Sequence, residues 1–381
     1  MVKKKPASFP EPIFVTQPLL APLSEYLPTL AEIWDAHWLT NGGEKSLALE
    51  AELKAYLRVP HLSVFANGTL ALLIACRALK LTGEVITTPF TFPATPHSLA
   101  WSHLTPVFAD IEPRTMTLDP ERVAALITPR TSAILGVHVY GMPCHVEELG
   151  ELAERRGLKL LYDGAHAFGT DYRGIPIGSY GDATMFSFHA TKLFHTAEGG
   201  ALAIRDIQVQ RTVDLMRNFG IQSEDTVSEV GINAKMSEVQ AAIGLVNLRF
   251  VDAERERRSE IRAHYRVRIA AIPDVTLFEI PAGVQNSEQY LIVRVGRQGS
   301  PSRRDALQSG LRAFNIMTRR YFYPLCSTFP TYSSLPSSDP KALPVAHRVA
   351  EEVLALPLYG ALAYDDVEQI ADALEYVMAS Q

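Results

Sequence analysis

Near the middle of the chain lies the segment Ser187-Phe188-His189-Ala190-Thr191-Lys192-Leu193-Phe194-His195-Thr196-Ala197-Glu198-Gly199-Gly200. Its one amine, on Lys192, can form an imine with a carbonyl compound if the amine loses its proton, and burial or a nearby cationic group favours that loss. The aromatic and small residues beside Lys192 fit such burial. Because most lysines are solvated surface groups, the segment predicts carbonyl chemistry only if the rest of the chain supplies a cofactor site.

Length and composition indicate a globular protein with a larger and a smaller domain. The chain has 381 residues, which is long for one hydrophobic core. We expect a boundary near residue 250, with residues 1–250, including the N-terminal segment, in the larger domain and residues 251–381 in the smaller one. The formal net charge of −6 argues against a nucleic-acid-binding protein, which usually carries a strongly basic surface.

The spacing of the cysteines and the composition of the N-terminal residues indicate where in the cell the protein is located. Cys76, Cys144 and Cys326 are widely spaced and form no Cys-X-X-Cys pair, so the sequence predicts neither a metal site nor a disulfide framework. A cytoplasmic location is the simplest interpretation. Residues 3–12 are basic and then proline-rich, unlike a secretory signal, and no run approaches the roughly 18 apolar residues that span a membrane. We therefore expect no membrane contact.

Between about residues 60 and 205, short β-branched apolar runs alternate with amphipathic stretches, the pattern of an α/β sheet. We predict seven strands, over residues 62–65, 84–87, 105–108, 132–137, 159–162, 183–186 and 200–204. Residues 237–266 have few helix breakers and apolar residues at helical spacing, so they predict one long helix. Strands over 275–278 and 290–295, with helices over 303–311 and 343–354, predict a smaller α+β domain.

Gly68 and Thr69 lie at a predicted helix start, directly after the first strand. Free backbone N–H groups and the helix dipole can bind phosphate there, although an ordinary helix N-cap explains the same residues. The chain has no Gly-X-Gly-X-X-Gly or Walker-type loop, so the sequence does not indicate a dinucleotide or nucleoside triphosphate site.

Asp163 follows the strand that ends at Tyr162, and a carboxylate at this end of a strand lies where open α/β sheets bind ligands. Opposite a pyridine nitrogen it would keep that nitrogen protonated and make the ring an electron sink. Turn formation or helix capping is the alternative for Asp163, and a structural hydrogen bond is the alternative for His166. Together, a phosphate-binding helix start, an acidic residue after a later strand and a lysine after another strand stand in the order expected of a pyridoxal phosphate (PLP) enzyme.

The chain also resembles the DegT/DnrJ/EryC1/StrS family of sugar-nucleotide aminotransferases, which have the aspartate-aminotransferase fold (PLP fold type I). The strongest motifs are Asp163-Gly164-Ala165-His166-Ala167 and Phe186-Ser187-Phe188-His189-Ala190-Thr191-Lys192, followed by Glu198-Gly199-Gly200. The resemblance extends from residues 38–43 to residues 319–324. It implies a large α/β domain with a mostly parallel seven-stranded sheet and a smaller α+β C-terminal domain.

The resemblance implies how PLP is bound. Lys192 would form a Schiff base with the cofactor, Asp163 would pair with its pyridine nitrogen, and His166 would contact its hydroxyl group. The implied phosphate ligands are Gly68, Thr69 and Ser187, while Phe92 matches an aromatic residue that stacks on the ring. Asn233 matches an asparagine that reaches the phosphate of the neighbouring subunit, so a homodimer with shared active sites is also implied.

The implied reaction is a ping-pong transamination in which the cofactor alternates between PLP and pyridoxamine phosphate. Lys192 argues for transamination, since a related group of sugar dehydratases has histidine there. The similarity is greatest to members that convert dTDP-4-keto-6-deoxy-D-glucose to dTDP-4-amino-4,6-dideoxyglucose, with L-glutamate as the usual donor, to supply an amino sugar for a surface polysaccharide or a glycosylated metabolite. Substrate contacts are predicted at Trp38, Thr40, Asn41, His189, Glu198, Arg319, Arg320 and Tyr321.

Several alternatives stay open at this point. Arg319 and Arg320 could bind the nucleotide diphosphate or form ordinary ion pairs. The acceptor could be a 3-keto sugar nucleotide. The protein could instead be a catalytically silent PLP-binding regulator, or a carbohydrate-binding protein without PLP whose lysine is structural.

Overall fold

The computed structural model describes residues 5–296 and 303–380. Within these ranges the helices are α1 (Leu23–Ala36), α2 (Glu44–Tyr56), α3 (Gly68–Ala78), α4 (Ala94–Trp101), α5 (Pro120–Leu126), α6 (Val146–Arg156), α7 (Ile207–Met216), α8 (Glu238–Leu248), α9 (Val251–Ile269), α10 (Arg304–Arg312), α11 (Pro344–Glu352) and α12 (Tyr364–Ala379). The strands are β1 (His61–Phe65), β2 (Glu84–Thr87), β3 (Thr105–Phe108), β4 (Thr131–Val137), β5 (Lys159–Asp163), β6 (Asp171–Tyr172), β7 (Ile175–Pro176), β8 (Ala183–Ser187), β9 (Gly200–Ile204), β10 (Ile221–Ser223), β11 (Thr226–Val227), β12 (Val275–Leu277), β13 (Val284–Gln285), β14 (Leu291–Val295) and β15 (Val353–Leu356). None of these helices is both long enough and apolar enough to cross a membrane.

Seven strands form one large sheet, and they are the seven that the sequence predicts. Their order is β1-β9-β8-β5-β4-β2-β3. The strands β3, β2, β4, β5 and β8 pair in parallel, whereas β9 runs antiparallel between β8 and β1. Since β1 is antiparallel to β9, it has the same direction as the parallel strands. The carboxyl ends of six strands therefore meet at one edge of the sheet.

Both faces of this sheet are covered, as its apolar strands require. Along β4, Ala133 and Leu135 pack into a core with α3 and α7, while Ile134 packs into a core with α2 and α6. Successive strand residues point to opposite faces, so a strand without polar alternation needs helices on both sides. The predicted α/β fold with a mostly parallel seven-stranded sheet is confirmed.

A second core surrounds the antiparallel sheet β12-β14-β15. It contains side chains of α9, α10 and α12, and Phe9 of the N-terminal segment packs into it. The helix predicted over residues 343–354 is wrong at its end, because α11 stops at Glu352 and Val353–Leu356 form β15. A short buried apolar run fits strand and helix equally by periodicity, and pairing with β14 decides the outcome. The domain boundary near residue 250 stays a prediction.

The single helix predicted over residues 237–266 is also wrong, since the structure has two helices there. The side chains of Ser237 and Gln240 form a reciprocal capping box at the start of α8. At its end, the N–H groups of Arg249 and Phe250 donate to carbonyl groups only three residues back. These tighter bonds end α8, and α9 begins at Val251.

The helix α9 carries a fully buried arginine, Arg258. Its Nε donates to Oε1 of Glu254 at 2.6 Å. The same carboxylate oxygen accepts the N–H of Gly360, in the connection between β15 and α12, at 2.8 Å. Because a buried charge is tolerated only when it is paired, Glu254 both neutralises Arg258 and joins α9 to this connection.

Replacing Glu254 with alanine should leave the Arg258 guanidinium buried without its carboxylate. We expect the free energy of unfolding to fall by about 3 kcal/mol, as measured by urea denaturation followed by circular dichroism. Glu256→Ala, at an exposed position on the same helix, is the matched control and should change it by less than about 0.5 kcal/mol. Equal effects of the two substitutions would contradict this role of Glu254.

Candidate active site

The candidate site lies at the edge of the large sheet where the carboxyl ends meet. Asp163 is the last residue of β5, Ser187 is the last residue of β8, and Gly68 begins α3 shortly after β1. These three strands share one direction, so residues far apart in sequence come to the same edge. Open α/β sheets bind their ligands at this edge.

Lys192 lies beside them, in the connection between β8 and β9. Burial lowers the pKa of its amine to about 8, and electrostatic interactions with Asp163 and Tyr321 oppose this shift. Its Nζ lies 5.7 Å from the centre of the Tyr290 ring. A substantial fraction of the amine is therefore neutral near pH 8, which is the state that a nucleophile or a general base requires.

Asp163 is a buried carboxylate with partners on both oxygens. Its Oδ2 accepts from Oγ1 of Thr95 at 2.7 Å, and its Oδ1 accepts from the N–H of Ala165 at 3.0 Å. Burial raises the pKa of Asp163, while these hydrogen bonds and the charge of Lys192 oppose the shift. The carboxyl group is thus held in one orientation in the wall of the site.

His166 is buried and neutral. Burial, reinforced by the nearby Lys192, holds its pKa well below the usual range. Its Nδ1 accepts from the N–H of Tyr140 at 3.2 Å, so the ring proton is assigned to Nε2. The ring stacks on Phe322 with 5.7 Å between ring centres and meets Tyr290 edge-on at 4.9 Å.

The start of α3 supplies backbone donors. Asn67 caps the helix by accepting from the N–H of Leu70 at 2.9 Å, and the N–H groups of the first turn have no partner within the helix. A Cβ atom on Gly68 would lie 2.8 Å from Sδ of Met185, so a larger residue where α3 begins would displace that side chain. This arrangement suits an anion such as phosphate.

A cavity of about 290 Å³ connects these groups. Ten predicted site residues line it: Gly68, Thr69, Phe92, Asp163, His166, Ser187, His189, Lys192, Glu198 and Tyr321. The structure therefore brings together every residue predicted to bind the cofactor except Asn233.

The sequence did not predict Tyr290 and Phe322, which also line the cavity, or Thr95, which donates a hydrogen bond to Asp163. Thr95 lies in the first turn of α4, where a threonine has no distinctive local signal. Tyr290 and Phe322 come from the part of the chain that follows α9. Their approach to Lys192 depends on tertiary packing, which no local pattern encodes.

Six predicted residues lie outside this cavity. Trp38, Thr40 and Asn41 are exposed in the connection between α1 and α2. Asn233 is also exposed, and its Oδ1 accepts from Nζ of Lys235 at 2.9 Å. Arg319 and Arg320 line a different cavity.

The cavity with Arg319 and Arg320 measures about 290 Å³ and adjoins the first, since both are lined by Phe92, Tyr321 and Phe322. Arg320 forms an ion pair with Asp305 at 3.3 Å, whereas Arg319 forms none within residues 5–296 and 303–380. The same described ranges contain no cluster of side chains suited to a metal ion.

Comparison with known proteins places the chain in a family. The model of the DegT/DnrJ/EryC1/StrS aminotransferase family matches residues 23–375. The chain belongs to this family, as its lysine and aspartate motifs predict.

Relatives and solved structures match over nearly the full length. The chain is 41% identical over 363 residues to the dTDP-4-amino-4,6-dideoxy-D-glucose transaminase of Escherichia coli, covering 94% of this chain and 97% of that protein. It is 33% identical over 352 residues to the GDP-perosamine synthase of Caulobacter vibrioides, covering 91% and 94%. The structure of DesI with its TDP-sugar product matches with a TM-score of 0.92 and 39% identity, covering 97% of this chain and 94% of that one. The fold is thus that of the sugar aminotransferases, and the predicted fold type I is confirmed.

The low pKa of Lys192 predicts unusual reactivity. In the cofactor-free protein, we expect acetic anhydride to modify Lys192 with a midpoint near pH 8, because only the neutral amine reacts. Peptide mass spectrometry after pulses between about pH 6 and pH 10 would measure this. Lys54, exposed on α2, is the internal control. A common midpoint for the two lysines would show that burial does not perturb Lys192.

Proposed function

We propose that the protein is a PLP-dependent transaminase that transfers an amino group from an amino acid, L-glutamate, to a nucleotide-linked keto sugar. One observation carries the proposal: the buried amine of Lys192 and the buried carboxylate of Asp163 line one cavity beside the start of α3. Membership of an aminotransferase family supports the reaction class.

The residues of the cavity fit PLP. The amides of Gly68 and Thr69 with the Ser187 hydroxyl would hold its phosphate, Asp163 would face its ring nitrogen and Lys192 its aldehyde. When bound, PLP supplies a carbonyl carbon that takes up amino groups and a ring that withdraws electrons from the carbon losing a proton. The N–H groups at the start of α3, which have no partner within the helix, and the buried carboxylate of Asp163 on the same cavity support this assignment.

Phe92 and His166 would contact the ring. Phe92 has an exposed side chain that lines the cavity, so its apolar surface is available to a planar ligand. His166 has its proton on Nε2, because Nδ1 is occupied by Tyr140. It can therefore donate a hydrogen bond to an oxygen atom of the ligand.

Lys192 and Asp163 have different roles in the reaction. Since its pKa is about 8, the Nζ atom of Lys192 is present in both protonation states near neutral pH. It can remove a proton from the α-carbon of the amino acid and return one to the sugar carbon. Asp163 would share a proton with the ring nitrogen of bound PLP, and Thr95 and Ala165 hold its two oxygens in place.

We propose dTDP-4-keto-6-deoxy-D-glucose as the acceptor, with dTDP-4-amino-4,6-dideoxy-D-glucose as the product. The Escherichia coli relative is named for this product, and the crystal structure of DesI was analysed in the presence of its TDP-sugar product. The adjoining cavity also supports a nucleotide diphosphate, since Arg312, Arg319 and Arg320 line it and guanidinium groups bind phosphate in a bidentate manner.

A half-reaction tests this proposal. L-Glutamate should convert the PLP form to pyridoxamine phosphate, and dTDP-4-keto-6-deoxy-D-glucose should then restore the absorbance of the PLP form and yield an aminated sugar nucleotide by mass spectrometry. Lys192→Ala should lower turnover by about 10³-fold or more, because both proton transfers need this amine. Lys54→Ala is the matched control and should behave as wild type.

The possible results of the half-reaction distinguish between the alternative functions. If glutamate converts the cofactor but the sugar does not restore it, the acceptor is wrong, and a 3-keto sugar nucleotide becomes the next candidate. If glutamate leaves bound PLP unchanged, the transaminase proposal fails and a silent PLP-binding regulator takes its place.

We also infer a homodimer in which Asn233 reaches the partner's cofactor. Leu23, Leu27 and Trp34 of α1 have exposed apolar side chains, as does Val230 close to Asn233. Exposed apolar groups of this size favour burial against another protein surface. Asn233 lies outside the cavity of its own chain, and a role in the partner's site accounts for this. The cytoplasm is the location that we propose, and the free, buried thiols of all three cysteines suit it.

Mixing two inactive variants tests the shared site. Lys192→Ala lacks the amine, and Asn233→Ala should show low turnover at limiting PLP. If Asn233 acts on the partner's cofactor, mixed dimers contain one intact site, and random subunit exchange should restore about one quarter of wild-type activity. Turnover before and after exchange measures this. Activity that stays at the mean of the two parents would place Asn233 in the site of its own chain.

A further inference from the structure

Residues 286–289, directly before Tyr290 and β14, are four consecutive polar residues that are all buried. Asn286, Ser287, Glu288 and Gln289 are between 0% and 7% exposed. Burial of polar groups is unfavourable unless each finds a hydrogen-bond partner. The partners of this segment lie around the candidate active site.

Gln289 holds the backbone on both sides of Lys192. Its Oε1 accepts from the N–H of Leu193 at 2.6 Å, and its Nε2 donates to the carbonyl oxygen of Thr191 at 2.9 Å. These two groups belong to the two peptide units that flank the Cα atom of Lys192. One side-chain amide therefore spans the residue whose amine enters the cavity.

The segment around Lys192 has little other backbone support. Residues 188–199 form neither helix nor strand, and their ends are held by backbone hydrogen bonds from Phe188 to Gly199 at 2.8 Å and from Thr196 to Phe188 at 3.0 Å. The N–H of Lys192 donates to the carbonyl of His189 at 2.8 Å, which closes only a local turn. Buried backbone groups need partners, and Gln289 supplies them for both Thr191 and Leu193.

Gln289 is itself held on both sides. Next to it, the Glu288 carboxylate forms a buried ion pair with Arg262 of α9, and Nη2 of the same arginine donates to the carbonyl of Tyr290 at 2.6 Å. Ser287 donates to the carbonyl oxygen of His166 at 2.5 Å. The backbone at Gln289 is thus held by neighbours that contact α9 and the cavity wall.

We propose that Gln289 is a positioning residue that fixes the backbone at Lys192, and with it the place of the amine in the cavity beneath Tyr290. Gln289 acts through Thr191 and Leu193 and does not line the cavity. The role in turnover depends on the proposed function, whereas the role in holding the amine does not.

Gln289→Leu removes both hydrogen bonds at nearly constant size, and Gln210→Leu is the matched control. Gln210 of α7 also donates from its side chain to a backbone carbonyl, that of Leu62 at 2.9 Å, but does not line the cavity. In cofactor-free full-length protein, the modification midpoint of Lys192 should rise in Gln289→Leu, because a displaced amine reaches water. Modification by acetic anhydride at pH 8 should then slow at least about fivefold.

Turnover is the second readout. We expect kcat of Gln289→Leu to fall about 10- to 100-fold, since a misplaced reacting group costs this much, while KM for the sugar nucleotide changes less than about threefold because Gln289 touches no substrate. Gln210→Leu should keep both values and the modification midpoint of wild type.

Gln289→Glu separates positioning from general packing. A protonated carboxyl group can donate one hydrogen bond and accept another, as the Gln289 amide does here, whereas an ionised one can only accept and would face the carbonyl of Thr191. Burial raises the pKa of such a carboxyl group. Turnover relative to wild type should therefore be nearly normal at acidic pH and decline as the pH rises, a profile that a loss of packing does not produce.

The outcomes are decisive in each direction. An unchanged modification midpoint in Gln289→Leu, with kcat within about twofold of Gln210→Leu, would overturn the proposal. If Gln289→Leu does not fold by circular dichroism, the pH profile of Gln289→Glu decides, and a flat ratio to wild type overturns it. If wild type fails the half-reaction while Gln289→Leu still shifts the modification of Lys192, the transaminase function is wrong and the positioning role stands.

Discussion

The candidate site depends on the close approach of Gly200 to the start of α3. Gly200 is paired with Phe65 of β1 on one side and with Ser187 of β8 on the other, and a Cβ atom on it would lie 2.6 Å from the amide nitrogen of Gly68. A glycine is therefore required. The connection that carries Lys192 leaves β8 at Ser187 and reaches β9 at Gly200, so both its ends are fixed beside the helix start. Sheet register thus fixes the two ends of this connection beside the anion-binding turn.

In this site, burial shifts the pKa values of Lys192 and Asp163 in opposite directions. It lowers the pKa of Lys192 and raises that of Asp163, because removal from water disfavours the charged form of either group. Their mutual attraction opposes both shifts. Thr95 and Ala165 stabilise the charged carboxylate further, whereas the amine has no comparable hydrogen-bond partner among the described residues. The amine, whose pKa is about 8, therefore changes its charge near pH 8.

The parts of this arrangement that the sequence predicts are those with local signals. Strands can be recognised in the sequence as apolar runs, and Gly68, Asp163 and Lys192 each follow such a run. Because the strands that precede them have the same direction in the sheet, the three residues come together at one edge. The end of α11 could not be predicted, because pairing with β14 decides the state of Val353–Leu356. Gln289 gives no local signal either. Its importance comes from two hydrogen bonds to residues almost a hundred positions earlier.

The two sides of the site come from different parts of the chain. Strands β5 and β8 with the start of α3 supply the groups for proton transfer and anion binding, whereas Tyr321 and Phe322 belong to a segment held by reciprocal backbone hydrogen bonds between Arg319 and Ala355 of β15. Of that segment, Arg319 and Arg320 line only the adjoining cavity, whereas Tyr321 and Phe322 line both cavities. The side chains that can differ without touching the amine are therefore those of the adjoining cavity alone, in a family whose named members differ in their sugar nucleotide.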